Sequence, residues 1–294
     1  MFERLRRGWG IAGASWSVLK LHPKLLLLPI VSGAAFLLLI GAIVLSLYAA
    51  AGNQSTLQAL VGLQNVKFDQ PLLYVLLFAF YFACMFIAIF FNAALVFCAL
   101  EAFAGRTPSL RGGIATAFGR LPQILGWTLV SATVGMLLAL VQDTLRERLG
   151  FLGSLLGGLL EFAWAVVTCF VVPVLVVDGV GPVEAVKRSY ALLKRTWGEA
   201  VAGNGGLGII AFLLLLPAVL VLVLAVPMVA IGNQGTVAVV LALVAILYIV
   251  TLSVVFGALG AIFRTGLYIY ATTGTAPGAF DPAMMQGAFR SKTG

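Results

Sequence analysis

Gly203, Gly205 and Gly208, in the stretch VAGNGGLGII, spell G-x-G-x-x-G. With that spacing a glycine-rich turn can seat a dinucleotide pyrophosphate on a helix N-terminus. The chemistry also requires a preceding strand, a following helix in a βαβ unit, and an acid ~20 residues further on. Here a basic amphipathic stretch precedes the glycines, an apolar run follows them, and the next acid after Glu199 is Asp281. The fingerprint fails on all three counts. The glycines read instead as a flexible elbow where a surface helix turns into a membrane span, with Asn204 placed to cap the first turn of that span. Lys194, Arg195, Gly203, Asn204 and Gly205 together would suit an anion, and a lipid phosphate is the natural one at that depth.

Two polar residues inside apolar runs are further candidates. Glu161 is the eleventh residue of its run, ~15 Å deep if the span starts at Phe151. An intramembrane carboxyl is costly and is by default a functional-site hypothesis. A span starting nearer Leu155 would instead leave Glu161 close to the outer surface. Asn92 is placed to hydrogen-bond between helices. Glu101 and Arg264 lie near ends of two runs, where they could pair or simply be solvated.

Catalytic and metal constellations are missing. His22 is the only histidine, no Walker loop or G-x-S-x-G elbow appears, and Asp178, Glu184, Glu199 and Asp281 are scattered. Asp178-Gly179 reads as a turn. Cys84, Cys98 and Cys169 lie inside apolar runs with no C-x-x-C among them, which argues for packing thiols rather than a disulfide scaffold or a zinc site. No cofactor and no enzymatic activity are expected.

The elements that must hold these residues follow from composition. Apolar residues make up 62% of the chain and charged ones 10%, with mean hydropathy +1.11. A soluble domain is roughly half apolar and about a quarter charged. The excess forms six runs: Leu25–Ala50, Leu72–Ala99, Ile124–Val141, Phe151–Val177, Gly205–Ile231 and Thr236–Ile262. Each is long enough, or nearly so, to cross ~30 Å of hydrocarbon as a helix. Helices are required because lipid offers backbone groups no partner. The first run has a basic leader and an Ala49-Ala50-Ala51 that resembles a cleavage site. Its length exceeds the h-region of a signal peptide, so a retained helix is expected.

Charge orients the six spans. The segments 1–24, 101–121, 178–203 and 263–294 carry 15 of the 18 basic residues, and the opposite set holds only Lys67, Arg146 and Arg148. The positive-inside rule places both termini in the cytoplasm of a bacterial inner membrane. The net charge of +8 is then a membrane-surface signature, and a nucleic-acid partner is not expected.

The cytoplasmic segments show helical periodicity. Phe2, Leu5, Trp9, Ala12, Trp16 and Leu19 share one face, as do Val183, Val186, Tyr190, Leu193 and Trp197. SWSVLK at 15–20 aligns with SYALLK at 189–194. A weaker face runs through Leu110, Ile114, Ala117 and Leu121. The chain thus reads as one all-α membrane domain over 1–294, with units of about 1–99, 100–178 and 179–270 and a cytoplasmic tail 271–294. Each unit is an amphipathic interfacial helix followed by a transmembrane hairpin. Pro29, Pro173, Pro217 and Pro227 predict kinks, most of all in the fifth span. Gly153 and Gly157 form a G-x-x-x-G suited to close helix packing.

Two blocks carry a resemblance. VVPVLVVDGVGPVEAVKRSYALLKRTWGEAVAGN (171–204) and IFRTGLYIYATTGTAPGAFDPAMMQGAF (262–289) look like the signature blocks of a bacterial multi-pass membrane family of unknown function. The pattern DGxGPxxAxKRSxxLLKRTWGE is also similar to one in the membrane domain joined to some glycerophosphodiester phosphodiesterases. The resemblance implies a six-span protein without an assigned activity. The phosphodiesterase catalytic domain has no counterpart in the sequence, so that activity is not implied. The expected role is non-catalytic: organising the membrane, binding anionic lipid headgroups on the cytoplasmic side, or supporting a membrane-protein partner or a homo-oligomer. The rival is a channel or transporter using Glu161, Asn92 and the kinked fifth span, and a lipid enzyme is third.

Overall fold

A computed structural model of the chain describes residues 15–50, 71–230 and 235–273, without the side chains of 47, 48, 50, 71–73, 195–205, 226–230 and 235. Every regular element among the described residues is helical. A helical stretch at 15–21 leads through a 3-10 turn, Pro23–Leu26, into α1 (Leu27–Ala50). Then come α2 (Pro71–Phe103), α3 (Leu110–Gly119), α4 (Leu121–Leu149), α5 (Phe151–Val167), α6 (Val171–Asp178), α7 (Pro182–Ala230) and α8 (Gly235–Thr273). Among the described residues six stretches are long and apolar enough to cross a membrane: Pro23–Ser46, Tyr74–Phe103, Leu121–Leu149, Phe151–Asp178, Gly206–Ala225 and Thr236–Thr273. Each of the six runs read from the sequence falls on one of them.

The core is not spread along these helices. It sits at one end of the bundle, where Val18, Leu19 and Leu25 meet Ala93–Ala99 of α2, Ile124 of α4, Phe170–Val176, Ala185 and Leu193 of α7, and Ala258–Tyr268 of α8. The opposite halves of the spans bury little, and leucines such as Leu38 at 74% and Leu247 at 68% point outward. Lipid takes the place of protein there, since an apolar side chain loses nothing by facing acyl chains. Span α2 is central: it packs against α1, α3, α4, α6 and α8.

Local sequence explains the joints. Ser109 caps α3 by accepting the Gly112 N–H at 3.2 Å. Gly113 presses α3 onto α2, where a Cβ would meet the Ala94 carbonyl at 2.7 Å and the Cys98 sulfur at 2.8 Å. The helices α4 and α5 form a tight hairpin at Gly150. Gly153 and Gly157 are both buried in it; a Cβ at the first would collide with the Leu145 carbonyl, and one at the second would meet Gln142 Cγ at 2.6 Å. The G-x-x-x-G therefore does pack closely, against the preceding span.

The fourth span is broken between α5 and α6. Pro173 has no N–H to offer the carbonyl of Cys169 and its ring crowds that carbonyl, so one continuous helix cannot pass. The break frees backbone groups inside the core, and Ser189 of α7 meets them: its hydroxyl donates to the Val167 carbonyl at 2.6 Å and accepts the Phe170 N–H at 3.2 Å. Gly179 then ends α6 in the left-handed region, at φ +64°, packed against the Arg120 guanidinium, which bears out the Asp178-Gly179 turn.

Two expectations are corrected by α7. It runs without interruption from Pro182 to Ala230, so no elbow forms at Gly203, Gly205 or Gly208. Asn204 lies inside the helix and cannot cap a span start. The helix also continues through Pro217 and Pro227, and the interruption of a span falls in the fourth rather than the fifth. Glycine permits an elbow but does not impose one, and a proline removes one hydrogen bond, which a long membrane helix can survive.

The aligned stretches 15–20 and 189–194 also behave alike. Ser15 and Ser189 are both fully buried, Leu19 and Leu193 are both core residues, and Trp16 and Tyr190 are both outward-facing. In each, a lysine one turn on covers the exposed ring: Lys20 over Trp16 at 5.8 Å and Lys194 over Tyr190 at 4.7 Å. The buried stripe is rotated from the predicted one, through Ala185, Ser189 and Leu193, leaving Val183 and Tyr190 exposed. The second segment differs. Its helix α3 is separate from its span, and Arg120 ends one helix and opens the next. Phe2, Leu5, Trp9 and Ala12 lie outside the described residues.

Candidate functional site

The first polar site is built on Arg264. It lies on α8 with core residues on either side, Phe263 and Thr265. Helical side chains tilt toward the helix N-terminus, and this one does: its guanidinium lies over Gly260, where a Cβ would be 3.6 Å from a guanidinium nitrogen. The charge therefore points back along the span rather than out past its end. It lines a cavity of ≈ 310 Å³ with Pro29 and Ser32 of α1, Asn92 and Leu95 of α2, and Gly257 of α8. No acid contributes to that lining.

Of the two readings of Glu101 and Arg264, as a pair or as solvated ends, the pair is not formed. Glu101 pairs with Arg106 at 2.6 Å, across the turn made by Gly105 at φ +72°. That hydrogen bond holds the Arg106 guanidinium above its ordinary pKa. Arg264 is left as a cation without a carboxylate among the described residues. Depth gives this meaning. Asn92 and Gly257 each stand about 20 residues from the far ends of their helices, ~30 Å at helical rise, which is the thickness of the hydrocarbon layer. The Arg264 guanidinium thus stands about one hydrocarbon thickness from the far ends of α2 and α8.

The second site contains Glu161. It faces a larger cavity, ≈ 470 Å³, between α2, α4 and α5. Tyr81, Ser131, Gln142, Glu161 and Thr168 supply polar atoms, and Trp127 and Trp164 supply aromatic faces, stacked at 6.0 Å between centroids. Glu161 follows Gly150 by 11 positions, ~16 Å along the helix, so it lies below the hairpin turn but above the core end. Asn92 does not share this cavity. Ile89 contributes to both cavities and stands between them, so Glu161 and Asn92 do not form one polar site.

A third cluster ties three helices together at the core end. Arg188 donates to Asp178 at 2.8 Å and to Glu184 at 3.1 Å, and the Tyr268 hydroxyl reaches the other Asp178 oxygen at 3.2 Å. The two carboxylates raise the Arg188 pKa, Asp178 first through its hydrogen bond. This joins the end of α6 to the start of α7 and the end of α8.

Of the residues assigned to a headgroup site, Lys194 is exposed and covers Tyr190. The side chains of Arg195, Gly203, Asn204 and Gly205 lie outside the described residues, though their backbone is helical. Ser32, Tyr81, Gln142, Trp127 and Trp164 went unrecognised in the sequence. The available signal was Arg264 itself: in ALGAIFRTGLYIY it has apolar residues on both sides, which is not the setting of a solvated helix end. Among the described residues no group of three His, Cys, Asp or Glu could hold a metal ion.

Six helices fit to cross a bilayer, with polar cavities between them, define a polytopic α-helical membrane protein. The chain belongs to a family of unknown function, DUF6159, which matches residues 72–278. No curated protein and no solved structure matches it, so the likeness to the membrane domain of glycerophosphodiester phosphodiesterases gains no support.

Proposed function

We propose that this is a non-catalytic, lipid-binding protein of the bacterial inner membrane, holding an anionic phospholipid headgroup in the Arg264–Asn92 cavity. One observation carries the reading: Arg264 points along its span into a cavity that offers no carboxylate. A desolvated guanidinium needs an anion, and its planar fork suits phosphate bidentately. Asn92 and Ser32 add neutral donors, and the apolar walls of Leu95 and Pro29 suit the start of an acyl chain. The core end is read as cytoplasmic because the chain segments that continue from it, 1–24, 101–121, 178–203 and 263–294, carry 15 of the 18 basic residues. The threefold succession of surface helix and hairpin, over about 1–99, 100–178 and 179–270, belongs to the same reading, with the surface helices bracing the headgroup layer.

The test is lipid retention. Full-length protein in nanodiscs containing phosphatidylglycerol retains that lipid through delipidating washes, and Arg264→Gln loses it while Arg264→Lys loses less. Inorganic phosphate in place of lipid separates the two sources of the same chemistry: competition by millimolar phosphate points to a free anion, and its failure to compete points to lipid. Equal retention by wild type and Arg264→Gln refutes the reading.

A further inference from the structure

The Glu161 cavity is a separate site of opposite charge. We infer that it binds a hydrophobic organic cation, an ammonium or phosphonium carried on an apolar body, from within or beside the membrane. Glu161 is the one acidic residue lining the cavity; no lysine, arginine or histidine contributes. Among the described residues its carboxylate makes no ion pair. A carboxylate below the hairpin turn, facing an otherwise uncharged cavity, is costly unless a cation joins it.

The rest of the lining fits that occupant. Trp127 and Trp164 stack at 6.0 Å with planes 25° apart, and Tyr81 faces the same space. Aromatic faces attract cations through the ring quadrupole, and the attraction grows where water is scarce. Gln142 and Ser131 offer neutral polar contacts. They would discriminate little by charge, so the selectivity belongs to Glu161. The volume of ≈ 470 Å³ falls within the usual range for small-molecule sites. A bare metal ion fits poorly, since a single carboxylate among aromatic rings leaves its coordination unfilled.

Binding of tetraphenylphosphonium to the detergent-solubilised full chain, measured by equilibrium dialysis, tests this, with tetraphenylborate as a control of like shape and opposite charge. Wild type binds the cation saturably and not the anion. Glu161→Gln weakens cation binding about tenfold or more, Glu161→Asp retains much of it, and Gln142→Glu strengthens it. Arg264→Gln leaves it unchanged, so failure here is distinguishable from failure of the lipid site. Displacement by phosphatidylethanolamine assigns the natural ligand to lipid amines and resistance assigns it to free cations; either sustains the site. Should Glu161→Gln fold poorly, Gln142→Glu decides. Wild-type affinity in Glu161→Gln, no gain in Gln142→Glu, or equal binding of the borate overturns the inference.

Discussion

The hydroxyl of Ser189 stands 3.2 Å from the backbone nitrogen of Phe170, and so a side chain on one helix completes the backbone of another. Pro173 breaks the fourth span, and the break exposes a carbonyl and an N–H in the middle of the core. Water cannot reach them: Phe170, Val171 and Ser189 are all fully buried. A buried, unpaired backbone group is among the more expensive defects a fold can carry.

Ser189→Ala removes that pairing without changing the helix. Two backbone groups lose their partner, which costs about 1–3 kcal/mol each where no water can replace it. The expected outcome is a lower thermal unfolding midpoint in detergent, and faster hydrogen exchange at Phe170 and its neighbours. Ser189→Thr keeps the hydroxyl and falls between wild type and Ser189→Ala. A midpoint unchanged in Ser189→Ala would show that the break is satisfied by other means.

The α4–α5 hairpin makes a steric prediction. Gly153 and Gly157 face the preceding span with no room for a Cβ, and the nearest atom to Gly153 is backbone, which cannot turn aside. Gly153→Ala therefore forces the two helices apart at a cost of about 1–3 kcal/mol. At Gly157 the obstacle is the Gln142 side chain, which can rotate, so Gly157→Ala costs less. Unfolding of the two variants side by side checks the order. Gly158, with nothing within 4 Å of a Cβ, is the internal control.

The spans were legible because hydropathy over a run is a bulk property. Six apolar stretches can satisfy their backbones in lipid only as helices, and tertiary detail does not alter that. The positions of breaks were not legible. Pro173, Pro217 and Pro227 look alike in sequence, yet the break falls only at Pro173. There a serine from another helix repairs the damage, and that partner is distant in the chain. The Gly203–Gly208 cluster misled for a related reason: composition states what a backbone is free to do, and packing states what it does.

The candidate sites show the same division. Glu161 and Asn92 stood out as polar residues in apolar runs, and each lines a cavity. That the cavities are separate depends on which helix faces which, and Ile89 between them carries no signal in sequence. Arg264 was visible but read as a solvated end. Its direction along the helix, toward Gly260, is a rotameric fact that spacing cannot supply. The likeness of SWSVLK to SYALLK was more informative, since burial and the lysine–aromatic contact recur in both.

Orientation is open to direct measurement. Lys20, Lys24, Arg106, Arg111, Arg120, Lys187, Arg188 and Lys194 belong to the segments at the core end, and the α4–α5 turn carries only Arg146 and Arg148 on the other side. Arg111→Cys, at an exposed position of α3, should react with a membrane-impermeant thiol reagent only after cells are permeabilised. Arg148→Cys, next to the Gly150 turn, should react in intact spheroplasts. The background is a chain with Cys84, Cys98 and Cys169 replaced by alanine. The reverse pattern would invert the membrane and place the Arg264 cavity on the outer leaflet.

Glu101 separates the two arginines that could have claimed it. It pairs with Arg106, at 2.6 Å and 3.1 Å through two guanidinium nitrogens, and leaves Arg264 to the cavity. In a double-mutant cycle, Glu101→Gln and Arg106→Gln should show coupling in the unfolding midpoint, small because Arg106 is 64% exposed and screened by salt. Glu101→Gln and Arg264→Gln should be additive, because the residues share no contact. Lipid retention gives the sharper contrast. Glu101→Gln should leave it at the wild-type level, whereas Arg264→Gln should abolish it. If Glu101→Gln lowered retention as much as Arg264→Gln, the carboxylate would be acting on the cavity arginine after all, and the guanidinium would have a protein partner in place of a phosphate.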